Sequence, residues 1–321
     1  MKFATLPNGT PDGRLHIVSR DHTRCMPAKA AETMQAALER WRDVEAELKT
    51  EYERLNAGGG EVFNRQNALA PLPRAWQWLD GSAYDSHGEL MQKVFNLPPH
   101  DTGGRPLMYQ GMSDRFYGPC QDVRLPSEED GIDFEGEFGV IVDAVPMSTS
   151  AEEARAHIRL LVQINDWSLR KLAPIEMKTG FGWIHAKPAS SMAPVAVTPD
   201  ELGAHWRDAR IDLPLKVYWN EVRFGAANGY AMSVGFDELV AHAAYSRDLV
   251  AGTVIGSGTV SNENFREVGS SCIAERRGIE MIDQGEPKTG FMRFGDTVKM
   301  EAELPDGTPL FGAIDQKVVK A

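Results

Sequence analysis

The hydrophobic positions along the chain recur in two rhythms. Lys2–Leu6 and Leu15–Ser19 are short apolar-rich runs separated by Asn8-Gly9 and Asp12-Gly13, the pattern of strand, turn, strand. From Ala28 to Leu55 the spacing changes. Met34, Leu38, Trp41, Leu48, Tyr52 and Leu55 recur at helical intervals with Glu and Lys between them, which predicts a helix. Gly58, Gly59 and Gly60 end it, and a loop with Pro71 and Pro73 places a domain boundary near residue 72. Beyond that point strands outnumber helices. Ile132–Val142, Leu161–Ile164, Leu215–Trp219, Thr253–Val260, Thr297–Leu304 and Leu310–Val318 read as strands, with Asp306-Gly307 as a hairpin turn between the last two. Ala151–Leu160 reads as a helix capped by Ser150 with Glu152 and Glu153 in its first turn, and Phe236–His242 as a short helix. No GxGxxG or P-loop opens a βα unit, so a doubly wound nucleotide-binding fold is not expected. The expected fold class is α+β, mainly β: a small α+β N-terminal cap over residues 1–72, then a larger β-rich domain over residues 73–321.

Composition narrows the partners. At roughly 150 residues per domain, 321 residues fit two domains. Lys plus Arg total 34 against 46 Asp plus Glu, a net charge of −12 that disfavours nucleic acid and anionic lipid as partners. No apolar run approaches the roughly 18 residues of a membrane span. The longest candidate, Leu249 to Val260, is broken by Gly252, Gly256 and Gly258. The opening residues MKFATLPNGT lack the apolar stretch of a signal peptide. Cys25, Cys120 and Cys272 are odd in number, far apart and without a CxxC, which argues against a disulfide scaffold or a thiolate zinc site. The expectation is a soluble, cytoplasmic protein with no nucleic-acid and no membrane partner.

Candidate chemistry concentrates in three places. In a strand over Ile132–Val142, Ile132, Phe134, Phe138 and Val140 share one face, and Asp133, Glu135 and Glu137 share the other. Like charges stacked on one face need a positive neighbour. Glu135 and Glu137 therefore read as a pair of oxygen ligands for a hard dication, or else as a solvated outer face. The apolar run Leu160–Ile164 ends in Asn165-Asp166, which puts an acid at a strand tip, either at a site or in an ordinary turn. Asp80 follows the apolar Trp78-Leu79, and His87 stands seven residues on. The other histidines (His16, His22, His100, His157, His185, His205 and His242) show no metal-ligand spacing, and His185 lies close enough to Lys187 to line a site.

In this order the motifs Asp80…His87, Glu135-x-Glu137, Asn165-Asp166-Trp167-Ser168-x-Arg170, Lys187 and Ser257-Gly258-Thr259 resemble the fumarylacetoacetate hydrolase family. The segments PLMYQGMSDRFYGP and GSSCIAERRGIE are similar to its bacterial two-domain branch, and the likeness runs over nearly the whole chain. The resemblance implies a fumarylacetoacetase-like catalytic domain that cleaves a carbon–carbon bond of a 1,3-diketo acid with water. It implies a divalent metal, Mg²⁺ or Ca²⁺ with Mn²⁺ as a further candidate, held by Asp80, Glu135, Glu137 and Asp166. The metal would polarise the attacked carbonyl and stabilise the departing enolate. By the same likeness His87 activates water with Glu275 as its acid partner, although Glu275 also reads as a surface acid pairing Arg276 or Arg277. Lys187 would hold the oxyanion, Arg170 and Tyr109 would bind substrate carboxylate and keto oxygens, and Thr259 the substrate's far end. A homodimer is implied as well. Ser82, Ala173 and Met177 depart from the family pattern at substrate-contacting positions, which leaves the acyl group open. Two rival functions share the motifs: a keto-acid decarboxylase or tautomerase of the oxaloacetate type, and a non-catalytic module with a structural calcium.

Overall fold

A computed structural model gives the fold, describing residues 1–96 and 102–321; His100 lies outside the described residues. The core is one large sheet assembled from β1 (Lys2–Leu6), β2 (Arg14–Val18), β3 (Arg24–Pro27), β4 (Glu61–Val62), β5 (Trp78–Gly81), β6 (Met108–Gly111), β7 (Gly136–Val142), β8 (Ile158–Asn165), β9 (Ser191–Met192), β10 (Ala196–Val197) and β11 (Thr253–Gly256). Its order is β4-β3-β2-β1-β10-β8-β7-β11-β5-β6, with β9 beside β8. The β5–β11 pair is parallel. The N-terminal strands are part of this sheet, because Lys2 and Phe3 of β1 pair with Val197 and Ala196 of β10.

Beyond Glu137, alternation along β7 and β8 sends apolar side chains into a core on each face. Phe138, Val140 and Leu161 enter one core, while Ile141, Leu160, Val162 and Ile164 enter another. The second core is roofed by the N-terminal helices through Leu38, Trp41, Val44 and Leu48. The first is closed by a five-stranded sheet ordered Val222–Asn228, Pro214–Trp219, Thr297–Glu301, Ile314–Lys320, Val123–Leu125. Central strands covered on both faces carry no polar stripe, so only their ends are open to chemistry.

The elements differ from expectation in particular places. The single helix expected over Ala28–Leu55 is two, α1 (Met34–Glu39) and α2 (Trp41–Ala57), broken at Arg40. Asp85–Phe95 forms α3, a helix the sequence reading did not anticipate. Ala151–Leu160 is helical only as α4 (Ala151–Arg155), closed by the Ser150–Glu153 capping box. Ile158–Leu160 instead begins β8, with His157 just before it and Arg159 within it both pairing with Asp143. Short helix α5 (Ala173–Met177) follows, then α6 (Phe236–Ala243), as expected to within a residue. The segment expected as the strand Thr253–Val260 stops at Gly256. Helices α7 (Phe265–Val268) and α8 (Ile273–Gln284) come next. Thr297–Leu304 stops at Glu301, and the last strand runs over Ile314–Lys320 instead of Leu310–Val318. Asp306-Gly307 turns inside that longer connection, where Glu303 bridges Pro309. Among the described residues no helix is long and apolar enough to cross a membrane.

Candidate active site

The expected strand Ile132–Val142 is interrupted, and the interruption builds the site. Ile132–Asp133 pairs with Ser168–Leu169, and β7 begins only at Gly136. At the break the Glu135 N–H donates to Asn165 Oδ1 at 3.0 Å, and the Asp166 N–H donates to the Glu135 carbonyl at 3.0 Å. Asp133, Glu135 and Glu137 are all buried, so none lies on a solvated face, and they point to different partners.

Neighbouring strand ends bring three acids together. Asp80 stands next to the end of β5, opposite Tyr109 of β6 and Gly256 of β11, and Glu137 in β7 stands opposite Ile164 of β8, two residues before Asp166. Carboxylate oxygens of Asp80, Glu137 and Asp166 lie within 4.8 Å of one another. Gly256 leaves room for Asp80: a Cβ there would stand 2.4 Å from Oδ1. The Gly258 N–H, in the left-handed region at φ 78, donates to the same oxygen at 3.1 Å. Asp166 accepts from Ser190 Oγ at 2.6 Å, Tyr109 Oη at 2.5 Å and Lys187 Nζ at 2.5 Å. Glu137 is the exception, because both of its oxygens are buried with no hydrogen-bond partner among the described residues. Burial, then repulsion from Asp166, raises the Asp80 carboxyl well above the usual range; burial, then Asp80, does the same to Glu137. Three buried acids with two orphaned oxygens form a hard, all-oxygen donor set suited to a divalent cation.

Glu135 sits beside this group with a different set of contacts. Its Oε1 accepts from Ser168 Oγ at 2.6 Å and Lys187 Nζ at 2.8 Å, and its Oε2 accepts from Thr259 Oγ1 at 2.6 Å. Burial opposes its charge, but Arg170 and Lys187 outweigh burial and hold the carboxyl well below the usual range. The same carboxylates hold the buried Lys187 ammonium above its ordinary value, although burial alone would lower it. Arg170 donates from Nε to Asp133 Oδ2 at 2.7 Å. Its Nη2 lies 2.8 Å from Glu135 Oε1 but outside hydrogen-bonding geometry, so a buried donor is left for another acceptor.

Within reach of the charges of Glu135, Arg170 and Lys187, His87 from the first turn of α3 meets Glu275 from the first turn of α8. Their Nδ1 and Oε1 atoms are 4.0 Å apart. Glu275 is fully buried, so it is no surface partner of Arg276 or Arg277. Burial pushes its carboxyl up to about 7 and pushes the His87 imidazole down to about 4. Ser261 Oγ donates to Glu275 Oε1 at 2.5 Å and itself accepts from Ser86 Oγ at 2.9 Å. His185 does not line this group: its side chain is 79% exposed beside Glu176. Met177 is exposed as well.

Several contributors were not singled out from the sequence. Asp133 accepts from the Ile273 and Ala274 N–H groups at 2.7 and 2.9 Å, anchoring the start of α8 while holding Arg170. Cys272 caps α8, its Sγ accepting the Glu275 N–H at 3.3 Å. The signal for Cys272 was local, since Cys-x-x-Glu has the spacing of a capping box with sulfur in place of a hydroxyl. Ser190 and Ser261 had no such signal. A cavity of about 410 Å³ bordered by Leu79, Arg105, His242, Tyr245 and Arg247 shares Tyr109 with the acid cluster, but the acids do not line it.

The chain is similar to several known proteins. In 2,4-didehydro-3-deoxy-L-rhamnonate hydrolase of Sphingomonas sp. (strain SKA58), 157 aligned residues are 27% identical and make up 48% of this chain. The match spans about half the length of that relative, 52%. A Mycobacterium smegmatis protein provisionally named HpcE shares the fold over 100% of both chains at TM-score 0.71 and 20% identity. Maleylpyruvate hydrolase from Sphingobium sp. SYK-6, solved with manganese(II) and pyruvate, does so over 100% of both chains at TM-score 0.69 and 16% identity. At these identities the likeness is one of fold. The sequence itself matches the fumarylacetoacetase N-terminal domain 2 over residues 1–74 and the fumarylacetoacetate hydrolase C-terminal domain over residues 77–319. The strands that gather Asp80, Glu137 and Asp166 are thus those of an enzyme fold, and the chain belongs to the fumarylacetoacetate hydrolase family.

Proposed function

We propose that the protein is a metal-dependent hydrolase that cleaves a carbon–carbon bond of a small 1,3-diketo acid. One observation carries the reading: three buried acids, one with both oxygens orphaned among the described residues, are joined through Lys187 to Glu135, whose charge acts on a His87 that stands 4.0 Å from the buried Glu275. Asp80, Glu137 and Asp166 would hold the cation, with Glu135 beside them as the fourth carboxylate of the expected set. A divalent ion is supported by the donor set and by the manganese-bound relative, with Mg²⁺, Ca²⁺ and Mn²⁺ as candidates. When bound, it would supply Lewis-acid polarisation of a substrate oxygen.

The chain's own groups supply the rest. His87, neutral at pH 7, takes a proton from water, and Glu275 steadies the imidazolium that forms. The hydroxide adds to the carbonyl carbon, where Lys187 sets a positive charge against the oxyanion. The carbon–carbon bond then breaks, its electron pair passes to the enolate, and a proton returned to carbon completes the addition of water. Arg170, through the Nη2 that lacks an acceptor, binds a substrate carboxylate. Tyr109 orients a keto oxygen, and Thr259 steadies Glu135 near the substrate's far end. Residues 1–72 act as a cap and 73–321 as the catalytic unit. The three free cysteines fit a reducing cytoplasm.

The His87–Glu275 pair favours hydrolysis over decarboxylation or tautomerisation, which need no activated water. It also has no purpose in a structural calcium module. The test is a panel of 1,3-diketo acids followed by ultraviolet loss after chelation and after return of Mg²⁺, Mn²⁺ or Ca²⁺, with oxaloacetate alongside. Metal-restored cleavage of a diketo acid is expected. Turnover of oxaloacetate alone, or turnover unaffected by chelation, would overturn the reading.

A further inference from the structure

A second set of metal-ligating atoms lies apart from the carboxylate cluster. His87 Nδ1, Cys272 Sγ and a Glu275 carboxylate oxygen lie within 4.8 Å of one another. Cys272 and Glu275 are fully buried. His87 Nδ1 and Glu275 Oε2 are both buried without a hydrogen-bond partner among the described residues. Burial normally satisfies such atoms, and here two unsatisfied ones stand next to a thiol.

We propose that His87, Cys272 and Glu275 form a zinc(II) site that switches the enzyme off by occupying the His–Glu pair. The loss of turnover rests on reading that pair as the water-activating one; the binding of zinc does not. Imidazole nitrogen, thiolate sulfur and carboxylate oxygen are the ligands zinc accepts together, with a fourth position open, whereas Mg²⁺ and Ca²⁺ favour oxygen alone. The two sites are therefore separated by hardness: all-oxygen at Asp80, Glu137 and Asp166, mixed at the pair. Ligand atoms on tetrahedral zinc stand roughly 3.5 Å apart. The 4.0 Å between His87 Nδ1 and Glu275 Oε1 needs only a small inward movement. On coordination the Cys272 S–H proton passes to solvent and the sulfur–zinc bond replaces it. The His87 side chain, 18% exposed, offers the entry path.

Cobalt(II) reports this site directly, because thiolate ligation adds a sulfur-to-cobalt charge-transfer band in the near ultraviolet. Titration of the full chain with cobalt is expected to give that band in the wild type, in Cys25→Ser and in Cys120→Ser, and to give none in Cys272→Ser. The serine keeps a capping oxygen at the start of α8, so the variant is expected to fold and to retain magnesium-supported turnover. Zinc inhibition of Cys272→Ser should need at least about tenfold more metal. His87→Gln, read by the band alone, should lose cobalt affinity at least about tenfold. No band in the wild type, or an equal band in folded Cys272→Ser, overturns the proposal while leaving the proposed function standing. A band without loss of turnover upholds the zinc site and overturns the assignment of His87 and Glu275 to water activation.

Discussion

His87 and Glu275 titrate away from their ordinary values in opposite directions, and the sign of each sets a testable pH dependence. The folded protein binds the Glu275 proton more tightly than the unfolded chain, with a pKa near 7 against 4.5. That contribution to stability falls as pH rises from about 4.5 to about 7. The His87 imidazole, at about 4 against 6.5, behaves oppositely, and its contribution is regained as pH rises from about 4 to about 6.5. Glu275→Gln removes the falling contribution alone. Its stability relative to wild type should climb by about 3 kcal/mol across that window, read by thermal melts. In turnover, His87 is already neutral, so the limb near pH 7 belongs to Glu275. The same variant should lose that limb and about 10²–10⁴-fold in kcat. Glu137→Gln should stabilise the metal-free protein by about 1–3 kcal/mol in a thermal melt, because an amide N–H₂ can donate to the neighbouring Asp80 and Asp166 oxygens where the Glu137 carboxyl has no partner among the described residues. It should also abolish the melting shift that added metal gives the wild type. At this scale the sequence singled out Glu135, Glu137 and the Asp166 just past β8, but not that Glu135 parts from Glu137 to meet Ser168, Lys187 and Thr259. It was not legible for Asp133, whose partners Ile273 and Ala274 are distant in sequence.

The distance between the His87 and Glu275 side chains is set by two helices more than by either residue. Helices α3 and α8 pack at Gly278, where a Cβ would stand 3.0 Å from Met91 Cε and 3.1 Å from Val94 Cγ2. Gly278→Leu is expected to wedge them apart, costing about 1–3 kcal/mol in a denaturant melt and lowering kcat with little change in metal affinity. An unchanged kcat in a folded Gly278→Leu would show that this packing does not set the pair. Element types were legible wherever a long rhythm persisted, as in α2 and α6. They were misread where a short apolar run served two elements. Ala151–Leu160 fits helical spacing, but Asp143, just past the end of β7, holds His157 and Arg159, and the chain enters β8 at Ile158. The break at Phe134-Glu135 was hidden because its hydrogen bonds go to the Asn165 side chain and the Asp166 backbone.

On the scale of the whole molecule, the β1–β10 pairing that welds the first residues into the central sheet joins positions too far apart for any local pattern to reveal. Net charge was readable from composition, but the double covering of the central strands was not, because Asp133, Glu135 and Glu137 read as a polar face. The homodimer that the resemblance implies had no residue-level signal, and the folded surface carries an exposed apolar segment on which it can be tested. Ile175, Met177, Phe181 and Ile184 are 64%, 60%, 98% and 78% exposed on one short segment. Sedimentation at micromolar concentration should show a dimer in the wild type and a monomer in Phe181→Asp; a wild-type monomer would sink the assignment. That segment is also tied to Lys187, because the Glu176 carboxylate accepts the N–H groups of Ile184, His185 and Ala186 immediately before it. A surface that is covered only when two copies meet would then steady the lysine that faces the oxyanion. Specific activity should fall as the protein is diluted, and recover when an inactive Glu137→Gln copy is added in excess.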